Sequence, residues 1–276
     1  MSASARLVLT FVVIGGAAAS AWHAAEKSAA PPTGPIGSAP VVVELFTSEG
    51  CSSCPPADQF LTELAAQGAL AGVNVIALSE HVDYWNRQGW VDPFSSVSFT
   101  ERQQRYSTAL ASDVFTPQMV VDGTSQFVGS DRQAALAAIR EAASAPKVQV
   151  TLRATNEGGR AQVHAELAAD AAAGGLPDGD VLLAITEDGL VSNVGAGENK
   201  GRQLAHAAVT RSLKSVRHLK KGQPTATIET TAAIDSKWTA ERLHAVVFVQ
   251  SNNRWRIVGA ASAPLTADRQ ASLERR

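Results

Sequence analysis

The chain lacks most of the features that would narrow its chemistry at once. Only two cysteines occur among 276 residues, Cys51 and Cys54. Two cannot build a disulfide framework, and alone they cannot make a four-thiolate zinc site. Neither sign of charge dominates: 24 Lys and Arg stand against 26 Asp and Glu, for a net charge of −2. With 18% charged and 45% hydrophobic residues, the composition excludes a disordered acidic or basic chain. It also gives no reason to expect nucleic acid or an anionic membrane as a partner. No Ser-His-Asp spacing, P-loop or internal repeat is present. Gly195-Ala196-Gly197 is not a dinucleotide fingerprint, because no βαβ unit surrounds it.

What is there begins with an export signal. Arg6 precedes an apolar run from Leu7 to Val13, and Ala19-Ser20-Ala21 supplies a small-residue cleavage pattern. The run is too short, and its continuation too rich in Ala and Gly, for a membrane span. Residues 1–21 are therefore expected to be a cleaved signal, with no stable membrane insertion afterwards and a periplasmic or secreted location. Residues 22–39, rich in Ala, Pro, Gly and Ser, read as a flexible leader.

From residue 40 the rhythm is α/β. Val41–Phe46 and Val73–Leu78 are short, nearly continuous apolar strands. Between them Phe60, Leu61, Leu64 and Ala65 fall at helical spacing, giving a βαβ unit with parallel strands. A long insertion, His81 to Ser96, carries Tyr84, Trp85, Trp90 and Phe94. It reads either as a lid or partner surface or as a loop packed on its own aromatics. Residues 98–111 look helical. Asp122-Gly123, flanked by Met119-Val120-Val121 and Gln126-Phe127-Val128, signals a hairpin, and Asp131 caps a last helix that ends before Pro146. Beyond residue 146 about six strand patterns follow without regular helices, with residues 202–219 fitting strand or helix. The expected architecture is an α/β N-terminal domain over 40–146 and an all-β, sandwich-like domain over 147–264, with a tail over 265–276.

The cysteine pair lies after a buried strand and before a helix, the context that separates a redox CxxC from a chance pair. Cys51 would sit near the helix N-terminus as the nucleophilic thiolate, with Cys54 as the resolving thiol. A static disulfide is the competing reading, although a two-residue loop constrains little chain entropy. Thr116-Pro117 precedes the Met119–Val121 strand. In a thioredoxin-like topology this pair faces the CxxC, where a cis proline positions a partner polypeptide.

The segments Gly50-Cys51-Ser52-Ser53-Cys54-Pro55-Pro56-Ala57-Asp58, His81-Val82-Asp83-Tyr84-Trp85, Trp90-Val91-Asp92-Pro93-Phe94, Thr116-Pro117-Gln118 and Glu198-Asn199-Lys200-Gly201-Arg202 together resemble an exported bacterial family. It is catalogued as a domain of unknown function, DUF1223, and grouped with thioredoxin-like proteins. The resemblance spans roughly residues 40–262. It implies a thioredoxin-like fold for the first domain and a β-sandwich after it, and it implies no substrate. One departure from ordinary thioredoxins stands out: Gly50 replaces their Trp, and Pro55-Pro56 follow the second cysteine. Cys54 would then be the helix cap with Pro55 as first helical residue, which weakens helix-end support for a Cys51 thiolate.

The function expected is thiol–disulfide exchange with protein thiols or disulfides, without cofactor, carried by Cys51 and Cys54 with Thr116 and Pro117 positioning the partner. Two alternatives stay open. One is a copper(I)- or zinc-handling module in which the thiolates act with His81 or Asp83; the other is a binding protein with a passive disulfide. Seven Lys and Arg between Lys200 and Lys221, with no acid, read as a solvated face.

Overall fold

The computed structural model describes residues 39–169 and 174–267. The expected signal segment and nearly all of the expected leader and tail lie outside the described residues. In chain order the first half holds β1 (Val41–Thr47), α1 (Pro55–Gln67), β2 (Ala69–Leu70), β3 (Val73–His81), α2 (Val97–Leu110), β4 (Gln118–Val121), β5 (Ser125–Val128) and α3 (Arg132–Ser144). The second half holds β6 (Gln149–Glu157), β7 (Arg160–Ala168), β8 (Gly179–Glu187), β9 (Leu190–Asn193), β10 (Gln203–His206), β11 (Val209–Leu219), β12 (Thr225–Ala233), β13 (Leu243–Ser251), β14 (Ile257–Pro264) and β15 (Thr266–Ala267). No helix among the described residues is long and apolar enough to cross a membrane.

Local chemistry accounts for the element ends. α1 opens with Pro at its first positions and closes on Gly68 at φ +60°, whose N–H returns to the Leu64 carbonyl. Asp131 caps α3 by accepting from the N–H groups of Gln133 and Ala134. The β4–β5 hairpin turns through Asp122 (φ 45°) and Gly123 (φ 64°), and Gly123 has no room for a side chain, since a Cβ there would lie 2.3 Å from the Trp255 carbonyl oxygen.

An α/β thioredoxin-like N-terminal domain followed by an all-β sandwich-like C-terminal domain is not what forms. One mixed sheet of nine strands, ordered β14-β13-β8-β11-β3-β1-β4-β5 with β2 on β3, runs through both halves. β1 and β3 are parallel, as expected. The far edge of β3, however, takes β11 through Val209 beside Ser79, and β11 continues antiparallel to β8 with two register shifts. A second sheet, β12-β7-β6-β15, covers one face of the C-terminal strands. The physical reason is burial on both sides. Leu183, Ile185, Val247 and Val249 pack against the second sheet, while Leu182, Ala184, Val246 and Phe248 pack on Val42, Ile76 and Leu78 of β1 and β3. The unbroken apolar runs of β8 and β13 are thus central strands buried on both faces, not the alternating strands of a sandwich. Residues 202–219 resolve as strand, β10 and β11.

The opposite face of β1 and β3 carries α1 and α3 over Val41, Val43, Leu45, Val75 and Ala77. Fully burying each of the Val and Leu side chains among these contributes about 1.5–3 kcal/mol. A polar cluster ties α2 to both halves. Arg102 donates to Glu44 at 2.6 Å and to Gln250 of β13 at 2.9 Å, and Tyr106 donates to Glu44 at 2.5 Å. Glu80 sits beside this cluster, fully buried, with no hydrogen bond to either carboxylate oxygen. Burial and the neighbouring Glu44 hold its carboxyl well above the usual carboxylate range, against the pull of Arg102.

Candidate functional site: the covered disulfide loop

β1 delivers the chain to a tight loop at its C-terminal end. Cys51 N donates to the Ser48 carbonyl at 3.1 Å and Cys54 N to the Cys51 carbonyl at 3.2 Å, and Cys51 and Cys54 are joined as a disulfide. Cys54 is the N-cap of α1 and Pro55 its first residue. Pro55 and Pro56 have no N–H, and the next two, of Ala57 and Asp58, both donate to the Cys54 carbonyl. The helix end therefore has no spare first-turn N–H for a thiolate at Cys51, so the helix-end activation expected of that position is weak.

Both cysteines are 0% exposed, although Ser52 and Ser53 between them face solvent. The cover comes from two directions. From the β9–β10 hairpin, Asn199 donates to the carbonyls of Glu49 and Cys51, both at 2.9 Å, and Arg202 donates to Asn199 Oδ1. Glu198 accepts from the Ser52 N–H at 3.0 Å, and the Ser52 side chain, followed by that N–H, holds its carboxyl below the usual range. From the aromatic insertion, Trp90 donates to Glu49 Oε2 at 2.8 Å, and a Cβ on Gly195 would lie 3.1 Å from the Trp90 ring. The insertion thus packs on the disulfide loop and the hairpin rather than only on its own aromatics. Gly50 is small for a reason: a Cβ there would lie 3.0 Å from Trp85 Cβ.

Thr116 and Pro117 reach the same end of the sheet. Their peptide bond is cis. Trp85, packed on Gly50, donates to Thr116 Oγ1 at 2.8 Å. The Pro117 carbonyl accepts from Gly129 N, and a Cβ on Gly129 would touch both Pro117 and Ala57, in the first turn of α1 beyond Cys54. His81 and Asp83 do not converge: His81 faces Asp92, whereas Asp83 accepts from Thr100 Oγ1 at 2.6 Å. Among the described residues no three His, Cys, Asp or Glu side chains are grouped as metal ligands. Of the basic residues between 200 and 221, Arg202 instead braces Asn199, and Arg211 is half-buried with its guanidinium over Phe94 and Trp238.

Sequence reasoning passed over a buried ionisable cluster around the loop. His81 at the end of β3 and His206 at the end of β10 meet edge to face, their ring centres 4.8 Å apart. His81 Nδ1 lies 2.8 Å from Asp92 Oδ2, and His206 Nε2 lies 3.1 Å from Glu49 Oε1. Asp92 also accepts from the Glu49 N–H at 2.8 Å. Thr47 donates to Asp58 Oδ1 at 2.7 Å. Burial disfavours a charged His81, but Asp92, with Asp58 and Glu49 behind it, outweighs burial and raises the imidazolium above its ordinary value. Burial likewise opposes the Asp92 charge, and His81 overrides it to bring that carboxyl down. Asp58 goes the other way: burial raises its carboxyl despite His206, His81 and Thr47. The one signal open to sequence reading was the position of Thr47 and His81 where parallel strands end, where α/β sheets gather their sites.

The chain is similar to known proteins in family and in fold. A family model described as a protein of unknown function, DUF1223, matches residues 42–250. The crystal structure of protein AGR_C_4864 from Agrobacterium tumefaciens is similar at 28% identity and a TM-score of 0.64, over 83% of this chain and 95% of that one. HBP35 of Porphyromonas gingivalis is similar in fold at 15% identity and a TM-score of 0.63, over 83% of this chain and 76% of that one. No curated protein matches the chain.

Proposed function

We propose a function for this chain, which belongs to the DUF1223 family, from the loop that joins its two cysteines: exported thiol–disulfide exchange. An incoming protein thiolate attacks Cys51 and expels Cys54, and the partner's second thiolate then displaces Cys51 so that the partner leaves as a disulfide; in the opposite direction Cys51 attacks a partner disulfide and Cys54 resolves the mixed disulfide. Thr116 and Pro117 border the path that a partner polypeptide takes. The observation that carries this reading is the disulfide itself. The only cysteines of the chain are bonded across two intervening residues, a loop too short to be an effective staple of the unfolded chain. The loop stands at the C-terminal end of the parallel pair β1 and β3, beside Pro117. With both cysteines covered, exchange requires the β9–β10 hairpin to lift.

The test is partner trapping in the periplasmic fraction. Cys54→Ser accumulates mixed disulfides through Cys51, and Cys51→Ser does not. Failure of Cys54→Ser to trap any partner, with a wild-type disulfide inert to protein dithiols, replaces the reading with a passive disulfide. Export is tested by N-terminal sequencing: the mature chain begins near Trp22, and an intact Met1 in the cytoplasm overturns it.

A further inference from the structure

We propose that the cover over the disulfide is a latch held by positive charge on the His81–His206 pair: it stays closed while the pair is charged and lifts as the pair loses its proton, so that pH gates access to the cysteines. The proposal deepens the exchange reading above, on which its purpose rests, by naming what regulates that site.

The geometry gathers the latch on one residue. Glu49 stands two positions before Cys51 and is fully buried. Both covers are bonded to it. From the β9–β10 hairpin, Asn199 donates to its carbonyl and His206 Nε2 lies 3.1 Å from its Oε1. From the aromatic insertion, Trp90 donates to its Oε2, and Asp92 accepts from its N–H. Asp92 also accepts from the Phe94 N–H and stands 2.8 Å from His81 Nδ1. Both carboxylates already serve as acceptors, so each imidazole places an N–H on the nitrogen that faces its carboxylate. The other nitrogens, His81 Nε2 and His206 Nδ1, are buried without a hydrogen-bond partner. The closed cover thus keeps two polar atoms from water that lifting would satisfy. Charge has to offset that cost.

Three carboxyls face the pair: Glu49 from the disulfide loop, Asp92 from the insertion and Asp58 from α1. The cations of the neighbouring elements are turned elsewhere. Arg211 of β11 lies behind the Phe94 ring, 5.2 Å from its centre, and is engaged with Glu187. Arg202 and Glu198 of the hairpin are bonded to Asn199 and Ser52, and Lys200 and Arg87 are exposed. Asp83 accepts from Thr100, Asp188 accepts from the Ala208 N–H, and Glu63 of α1 is paired with Arg132 at the surface. Glu80, next to His81 along β3, points to the opposite face, where Arg102 of α2 stands. The imidazoles themselves are therefore the positive charge that balances the three carboxyls.

The direction of the gate follows from the same charges. Burial opposes a charge on His81, but Asp92, Asp58 and Glu49 outweigh it and raise the imidazolium above its ordinary 6.5. A group raised in the closed state stabilises closure fully below its open-state value, and the contribution is lost as pH rises through the closed-state value. The cover is therefore firmest in mild acid and loosens above neutrality. Asp92, held below its ordinary 3.8 by His81 against burial, has the opposite sign, and its window lies in strong acid. When the latch lifts, His206 leaves with β10, Glu49 is hydrated, and the proton passes to solvent.

The experiment is phosphine reduction of the disulfide in the full-length mature protein between about pH 6 and about pH 9. Each rate is divided by that of the oxidised peptide of residues 48–58 at the same pH, so the reagent's own titration cancels and the ratio reads how often the cover is lifted. The expected ratio is lowest in mild acid and climbs above about pH 6.5, by up to about tenfold per pH unit for each proton released. In His81→Gln, which cannot take the proton, the ratio is high at the acid end and flat. Asn199→Ala, which loosens the cover without touching the pair, raises the ratio at every pH and keeps the slope. Should His81→Gln not fold, NMR titration of the wild-type imidazoles decides: His81 or His206 titrates over the range in which the ratio climbs. A flat wild-type ratio, a slope that survives in His81→Gln, or imidazoles that titrate outside that range overturns the proposal. Phosphine reduces a passive disulfide as well as an exchanging one, so this outcome is independent of whether Cys54→Ser traps a partner.

Discussion

The side-chain amide of Asn199 donates to the backbone carbonyl of Cys51 at 2.9 Å, across 148 residues of sequence. The same nitrogen serves the Glu49 carbonyl, so one buried residue of the β9–β10 hairpin pins the backbone of the disulfide loop on either side of Gly50. Neither cysteine has exposed surface while that contact stands.

Asn199→Ala removes both bonds. At about 0.5–1.5 kcal/mol each, stability by urea unfolding falls by roughly 1–3 kcal/mol. If the hairpin controls access, phosphine reduction of the disulfide quickens by about tenfold for each 1.4 kcal/mol lost from the closed state. An unchanged reduction rate with reduced stability would show that access lies elsewhere.

Glu80 sets a pH dependence of stability. Burial and Glu44 raise its carboxyl well above the ordinary 4.5, so the folded chain holds a proton that the unfolded chain has released. Its stabilising contribution is whole below about pH 4.5 and is lost as pH rises toward the folded value. Glu80→Gln removes that loss, so its unfolding free energy falls less between pH 5 and pH 8 than the wild type's. Parallel curves for the two proteins would refute this.

Gly123 and Gly68 make a matched pair. Both have positive φ, but a Cβ on Gly68 meets nothing within 4 Å whereas one on Gly123 meets the Trp255 carbonyl oxygen at 2.3 Å. Gly68→Ala costs about 1–2 kcal/mol, the left-handed penalty alone. Gly123→Ala costs more than about 3 kcal/mol, because the β13–β14 turn must also shift. Equal melting temperatures for the two variants would contradict the close approach.

The parts of this protein written locally were legible. Pro55-Pro56 after Cys54, Asp131 before α3 and Asp122-Gly123 between β4 and β5 act through their own backbone within a few residues, so turn and cap chemistry is enough to place them. The CxxC pair belongs to this class, since two residues of separation already allow a bond. The sheet was not legible in the same way. The apolar runs of β8 and β13 announce strands buried on both faces, but periodicity is silent on which surface covers each face. Val42, Ile76 and Leu78 cover one of them from more than 100 residues away. The same limit hid the buried cluster. Glu49 and His206 are 157 residues apart and His81 and Asp92 are 11 apart, and only the pairing of β11 with β3, with β10 leading into it, brings the two imidazoles together over the disulfide loop. Residue types and turns are properties of neighbouring atoms in the chain, whereas burial, and with it the charge state of Asp58 and His81, is a property of what folds on top.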